Sequence, residues 1–359
     1  MFGVQESLSE TRDNPGWGLL PRAVHATLQH IEAQAAQGVR GILLLSAVEF
    51  YIYQCYDLAD VAGKQMCTMK GSQVLGNSYQ LCDSPAVLAE FLERVYNNRN
   101  VVATKMNAGS SRSHCAITLT LLTHDTNSDE FRQTAFSIVD LAGAERPEKA
   151  SHTGKRMTKD EAVLELYTFF KKGCQGTLSL ELQGYLINFE LMGLLDAVVT
   201  ATNAAKQGGV YKAQNFLGGA TTSFFGGALA GESRLDALIC LSQSPQNGWE
   251  TWFSIAKYGA QLSQLRTRVK SVTSVPMAKA LAQAEKDVIE AEDALAKTPD
   301  SASGRKYLAF RLGMKVYTEQ RVHFIRQLAG QSGPDPSSSA IAAASGSGAA
   351  AAASTLTAP

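Results

Sequence analysis

Two short polar loops, each at the end of an apolar run, constrain this chain more than any other feature. Asn107 to His114 reads Asn-Ala-Gly-Ser-Ser-Arg-Ser-His, and Asp140 to Arg146 reads Asp-Leu-Ala-Gly-Ala-Glu-Arg. Small hydroxyls and glycines at strand ends let side-chain and backbone donors approach an anion closely. An Asp-x-x-Gly turn at a strand end is shared by many nucleotide hydrolases. Taken alone, the first loop also suits an ordinary polar turn, and the second a strand end and tight turn. Together and in this order they point to a fold that senses the last phosphate of a nucleotide. The phosphate loop Gly-x-x-x-x-Gly-Lys-Ser/Thr occurs nowhere in the 359 residues.

Periodicity supplies the frame around these loops. Pro21 opens a helix in which Leu20, Val24, Leu28 and Ile31 recur at helical spacing. Gly41 to Tyr53 reads as a buried strand, and Val87 to Tyr96 as a helix ending before Asn97-Asn98-Arg99-Asn100. Cys115 to Thr123 and Thr134 to Leu141 are two strands joined by the polar turn His124 to Glu130. Leu186 to Val199 is helical, Leu235 to Leu241 a short strand, and Trp249 to Leu265 a helix. Alternation of this kind predicts an α/β domain over roughly residues 1–270. Met277, Leu281, Ala284, Val288, Ala291 and Leu295 then form a short coiled seam. Thr298-Pro299-Asp300 breaks it before a second helix from about Arg305 to Leu328, so residues 271–330 read as a helical hairpin or short coiled-coil segment. Residues 331–359, rich in Ala, Ser and Gly, are expected to form a disordered tail.

Charge is balanced, with 33 Lys plus Arg against 33 Asp plus Glu, so no overall field favours nucleic acid or membrane. The six cysteines contain no Cys-x-x-Cys pair and read as reduced thiols, not a disulfide framework or a zinc site. Neither a basic-then-apolar leader nor an apolar run long enough to span a bilayer is evident, which argues for a soluble intracellular protein.

In order and spacing, the two loops resemble switch I and switch II of the kinesin motor domain. Glu49-Phe50-Tyr51 followed by Asp57-Leu58 is similar to the family's Glu-Ile-Tyr-Asn-Glu…Asp-Leu-Leu stretch, with Ile52 and Tyr53 in place of the Asn and second Glu. Asn98-Arg99, Val101 to Thr104 and Met106-Asn107 lead into the first loop as in the family, and His152-Thr153-Gly154 follows the second. Leu186-Ile187-Asn188 resembles the relay helix, and Cys240-Leu241-Ser242…Ser244-Pro245 with Glu250-Thr251 resembles the last core strand and closing helix. The resemblance covers about Met1 to Val269. It implies a three-layer P-loop NTPase-like α/β fold, with an incomplete central sheet because the strand feeding the phosphate loop is not in this sequence. Met1-Phe2-Gly3 matches the end of the family's Gly-Lys-Thr-x-Thr-Met-x-Gly run, so the sequence is expected to be an N-terminally truncated reading of a longer protein.

The same resemblance implies roles for particular residues. Ser110 and Ser111 would donate to the terminal phosphate of ATP, Ser111 and Asp140 would serve Mg²⁺ (Asp140 through water), and Gly143 would offer its backbone N–H. Asn107 would brace the first loop and His114 would anchor structure. Arg112 and Glu145 would form the salt bridge that closes the switches, with Glu145 assisting the attacking water. Asn188 would belong to the relay. Lys155, Arg156, Lys171, Lys172 and Lys212 are possible contacts to an acidic microtubule surface. The implied function is a microtubule motor hydrolysing ATP in the cytoplasm, on the cytoskeleton, with dimerisation and cargo unspecified. The alternative is a degenerate non-motor kinesin acting as a microtubule-binding adaptor, and without a phosphate loop this chain alone is expected to bind ATP poorly. Three departures stand out: an extra segment around Thr158 to Gln183, a nearly unrecognisable tubulin-contacting segment after Tyr211-Lys212, and Phe189-Glu190 where Lys-Ser is usual.

Overall fold

The computed structural model describes residues 14–63, 65–105, 112–143, 157–172, 178–212, 219–241, 243–245, 248–266, 269–299 and 301–331. Among the described residues, eight strands form one sheet: β1 (Val39–Tyr51), β2 (Gln54–Asp57), β3 (Gln65–Lys70), β4 (Gln73–Leu75), β5 (Gln80–Leu81), β6 (His114–Asp125), β7 (Glu130–Asp140) and β8 (Val275–Pro276). The order is β4-β3-β2-β1-β6-β7-β8, with β5 pairing β1, and each of these pairings is antiparallel.

Period-two alternation along β1 explains the layers. Leu43, Leu45 and Ala47 join Cys115, Ile117 and Leu119 of β6 in a core with α1 (Leu19–Ala35) and α2 (Pro85–Lys105). Leu44 points the other way and packs with Leu122 and Phe131 against two later helices. Val48 and Phe50 face that side too, beneath Ala220 and Phe224. The result is helix, sheet, helix, in agreement with the expected three-layer class.

Helices α3 (Lys159–Lys171) and α4 (Leu180–Lys206) cover the β1–β2 end of the sheet. A capping box starts α3: the Thr158 hydroxyl accepts from Glu161 N at 3.3 Å while the Glu161 carboxylate accepts from Thr158 N at 2.8 Å. Helix α4 is long and apolar enough by composition to cross a membrane, but Leu182, Leu186, Ile187, Leu191 and Leu194 are buried against protein. After α5 (Gly219–Leu229) come α6 (Gly248–Phe253), a π-helical turn at Ser254–Gly259 and α7 (Ala260–Leu262). The last two helices, α8 (Met277–Ala296) and α9 (Ala302–Leu328), contact each other and lie on the sheet. Met277 and Ala284 of the coiled seam are buried there, with Ala280 beside them. Gly313 of α9 sits so close to β4 that an added Cβ would lie 3.2 Å from the Leu75 carbonyl carbon.

Several local expectations need correction. Leu235 to Leu241 is not a strand: it is irregular, and Leu238 is 83% exposed. Among the described residues the run pairs with no strand, although β7 meets β8 only at Glu130 and Phe131 and leaves the rest of that edge unpaired. Helix α2 continues through Asn97 to Lys105 because Asn98 donates to the Leu58 and Asp60 carbonyls and Arg99 is also held by tertiary partners. Residues 332–359 lie outside the described residues.

Candidate functional site

The sheet register brings the ends of the two loops together. Cys115 is the cross-strand partner of Asp140, so the chain enters β6 beside the point where it leaves β7. Arg99 of α2 fastens this junction. One guanidinium nitrogen donates to the Asp140 carboxylate at 3.2 Å and another to the Ser113 carbonyl at 3.1 Å. His114 makes a second tie, its Nδ1 accepting from Ala142 N at 2.9 Å. An imidazole that accepts at Nδ1 carries its proton on Nε2 when neutral. Burial, and secondarily the Arg99 charge, hold His114 down at about 4 against an ordinary 6.5, so it is neutral at physiological pH.

The structure places the expected residues as follows. Arg112 stands at the entrance to β6, half-buried, where its charge eases ionisation of the otherwise strongly raised Tyr51 phenol. Asp140 ends β7 with half its side chain exposed. The solvent-exposed side of this carboxylate can accept from the water of a hydrated cation, against the opposing charge of Arg99. Among the described residues, an added Cβ at Gly143 would meet nothing within 4 Å. Asn188 lies half-buried on α4. Lys171 and Lys172 are exposed at the end of α3, with the Lys171 ammonium 5.7 Å from the Tyr167 ring, and Lys212 is exposed beyond α4. Asn107, Ser110, Ser111, Glu145, Lys155 and Arg156 lie outside the described residues, as does the partner half of the expected Arg112–Glu145 bridge.

Two contributors carried no role in the sequence reading. Arg99 was visible only as part of an Asn-Arg pair. Glu190 stands out in the sequence as half of the Phe189-Glu190 departure, an acid inside the apolar run Leu186 to Leu195, and such an acid must find partners when buried. It finds Tyr53, whose backbone N–H donates to Glu190 Oε1 at 2.6 Å.

The kinesin motor domain profile matches residues 5–165. Residues 5–165 belong to the kinesin motor domain family. Kinesin-like protein KIN-1 of Oryza sativa subsp. japonica is 27% identical over 260 residues, spanning 71% of this chain and 48% of that protein. Kinesin-like protein KIN-1 of Arabidopsis thaliana is 28% identical over 274 residues, 75% of this chain and 52% of its own length. Kinesin-like protein KIF15 of Rattus norvegicus is 32% identical over 149 residues, 39% of this chain and 11% of its own. The chain thus spans about half, or much less, of the length of these relatives. Among solved structures, a fast kinesin superposes with TM-score 0.54 at 23% identity, covering 77% of this chain and 68% of that one. A KIF14 dimer bound with AMP-PNP to a microtubule gives TM-score 0.55 at 21% identity, covering 75% and 71%. These similarities establish the kinesin fold for this chain. The junction of β6 and β7 lies within the matched segment, as do Arg99, Arg112, His114, Asp140 and Gly143.

Proposed function

We propose that this chain is part of a kinesin-like microtubule motor in which ATP binding and hydrolysis are coupled to microtubule binding. The observation that carries the reading is the junction itself: the exit of the Ser-Ser-Arg-Ser-His loop and the start of the Asp-Leu-Ala-Gly loop meet side by side, tied by Arg99 and His114. Bound ATP would supply the phosphoryl group, and Mg²⁺ would neutralise its charge. On this chain Asp140 would hold the hydrated cation, Gly143 would present an unobstructed backbone N–H, and Ser110, Ser111 and Asn107 would line the opposite loop. Arg112 and Glu145 would close the loops over the phosphate and exclude water, and Asn188 would pass the movement into α4. Lys155, Arg156, Lys171, Lys172 and Lys212 would face the acidic microtubule, placing the protein on the cytoskeleton in the cytoplasm.

The test uses the complete protein. Glu145→Ala is expected to abolish microtubule-stimulated turnover and leave nucleotide binding in place, because positioning supplies most of the catalysis in phosphoryl transfer. Normal stimulation in that variant would remove Glu145 from the mechanism. Microtubule binding unaffected by any nucleotide would favour the adaptor reading.

A further inference from the structure

The β1–β2 connection is a two-residue turn closed by the Tyr51–Gln54 pair, with Ile52 at φ 44° and Tyr53 at φ 63°. Left-handed backbone suits glycine or asparagine. A β-branched residue there is strained by about 1–2 kcal/mol, so the surroundings must hold the turn. Ile52 is buried with Phe169 of α3 and Leu178 and Leu182 at the start of α4. Gly219 at the start of α5 lies against Tyr53, where an added Cβ would stand 2.6 Å from the ring. Glu190 takes the Tyr53 N–H.

Glu190 also reaches inward. Its Oε2 lies 4.0 Å from His114 Nε2, beyond hydrogen-bond distance; both side chains are almost wholly buried, and among the described residues that nitrogen has no hydrogen-bond partner. Since His114 Nδ1 accepts from Ala142 N, the neutral ring carries its proton on Nε2, the nitrogen nearest the carboxyl. A line of buried polar groups therefore runs from Tyr53 N–H through Glu190 and His114 to Ala142 N–H, hydrogen-bonded at its two ends and joined in the middle by the 4.0 Å approach.

We propose that Glu190 is a positioning residue: it couples helix α4 and the strained Ile52–Tyr53 turn to the Asp140–Gly143 loop, acting through the His114 imidazole. Movement of α4 withdraws the carboxyl from Nε2, the ring loses that buried electrostatic restraint, and Ala142 loses the fixed acceptor that sets the path of the loop. The reverse also holds, because a coupling free energy is reciprocal. The consequence for turnover rests on the proposed motor function. The coupling does not, and its test uses no nucleotide. Other ionisable groups facing the pair are the Tyr51 and Tyr53 phenols beside Glu190 and the Arg99 guanidinium beside His114. Burial pushes Glu190 up to about 7, which lets the carboxyl change state where the arginine does not.

The experiment is ¹⁵N-histidine NMR with residue-resolved amide exchange on this chain, on Glu190→Gln and on Glu190→Ser. The unmodified chain should show His114 neutral with its proton on Nε2, and a small His114 shift change near neutral pH as Glu190 titrates. A glutamine accepts on one side only, and the shorter Tyr53 contact should keep it. Glu190→Gln should then lose the neutral-pH shift change and speed Ala142 exchange about tenfold, with Tyr53 still protected. Glu190→Ser should expose both amides. If the serine variant does not fold, the glutamine variant decides alone. A His114 proton on Nδ1, an unchanged shift profile in Glu190→Gln, or Ala142 exchange within about twofold of the unmodified chain would overturn the proposal.

Discussion

Replacing Arg99 by methionine separates the two bonds that fasten the junction of β6 and β7. They are not equal. Asp140 is 50% exposed, so solvent screens its ion pair with Arg99 to about 0.2–1 kcal/mol. Ser113 is only 5% exposed, and losing the donor to its carbonyl costs roughly 1–3 kcal/mol because the group stays buried. Methionine keeps the length and apolar stem, so little packing loss is added. Arg99→Met should therefore destabilise the chain by about 1–4 kcal/mol, mostly through Ser113. Urea unfolding at about 0.1 M and about 1 M salt reads this, because only the exposed Asp140 pair is weakened by screening.

The same variant has a second signature. Burial is the larger cause of the low His114 value and Arg99 the smaller. Removing the guanidinium should raise the His114 midpoint above about 4, while burial keeps it below 6.5. A stability loss under about 0.5 kcal/mol, with His114 titrating as before, would refute the assignment of Arg99 as the fastener. A larger loss that disappears at high salt would transfer the effect to Asp140 and refute the weighting given to Ser113.

Other consequences follow from the same geometry. Gly219→Ala should cost about 1–3 kcal/mol in urea unfolding, since φ is +58° and the new methyl meets Tyr53; no change would show that the turn yields freely. Glu190 and Asp57 are raised by burial to about 7 from 4.5 and 3.8, so the stability they contribute is present at low pH and lost as pH rises through about 7. His114 has the opposite sign, its contribution being present above 6.5 and lost as pH falls through about 4. Relative to the unmodified chain, Glu190→Gln should gain up to about 3 kcal/mol between pH 4.5 and pH 7.5, and a constant difference across that range would contradict the burial argument. Titrating ATP into these 359 residues should give no micromolar-range affinity, because the sequence contains no phosphate-loop lysine; tight binding would count against that reasoning.

Apolar, β-branched runs made β1, β6 and β7 legible in the sequence, and the helical spacing of Leu20, Val24, Leu28 and Ile31 did the same for α1. Strands β2 to β5 were not legible. Gln54–Asp57 and Gln65–Lys70 are short and mixed in polarity, and they are strands because each lies against a neighbour. Helix α5 was hidden by its glycines, which lower helix propensity, but Ala220, Thr221, Gly226 and Leu229 are buried and packing overrides propensity. Leu235 to Leu241 shows the converse: an apolar run reads as a strand, yet a strand exists only where a partner accepts its hydrogen bonds. At the candidate site the adjacency of the two loops could be inferred from two strands and one short turn. The fastening by Arg99 could not, because residues 99 and 140 meet only once α2 has crossed the sheet.

The departures from the family pattern are more informative taken together than singly. Ile52 and Tyr53 occupy a turn that would suit asparagine, Glu190 replaces a serine, and α3 belongs to the extra segment; in the sequence the turn lies more than a hundred residues from the other two. In the fold they touch. Phe169 buries Ile52, the Phe170 ring lies 6.2 Å from that of Tyr53, and Glu190 takes the Tyr53 N–H. Each looks unfavourable alone: a strained turn, a buried acid, and a helix that leaves Val163, Leu164 and Tyr167 in solvent. Jointly they offset one another, because the turn gives the acid a donor and the helix gives the β-branched residue a place to be buried. Phe169→Ala should therefore cost about 3–5 kcal/mol as a cavity, and it should also loosen the Tyr53 amide, whose contact with Glu190 depends on the turn keeping its shape. Loss of stability with Tyr53 exchange unchanged would mean that α3 is packing alone and that the three departures are independent.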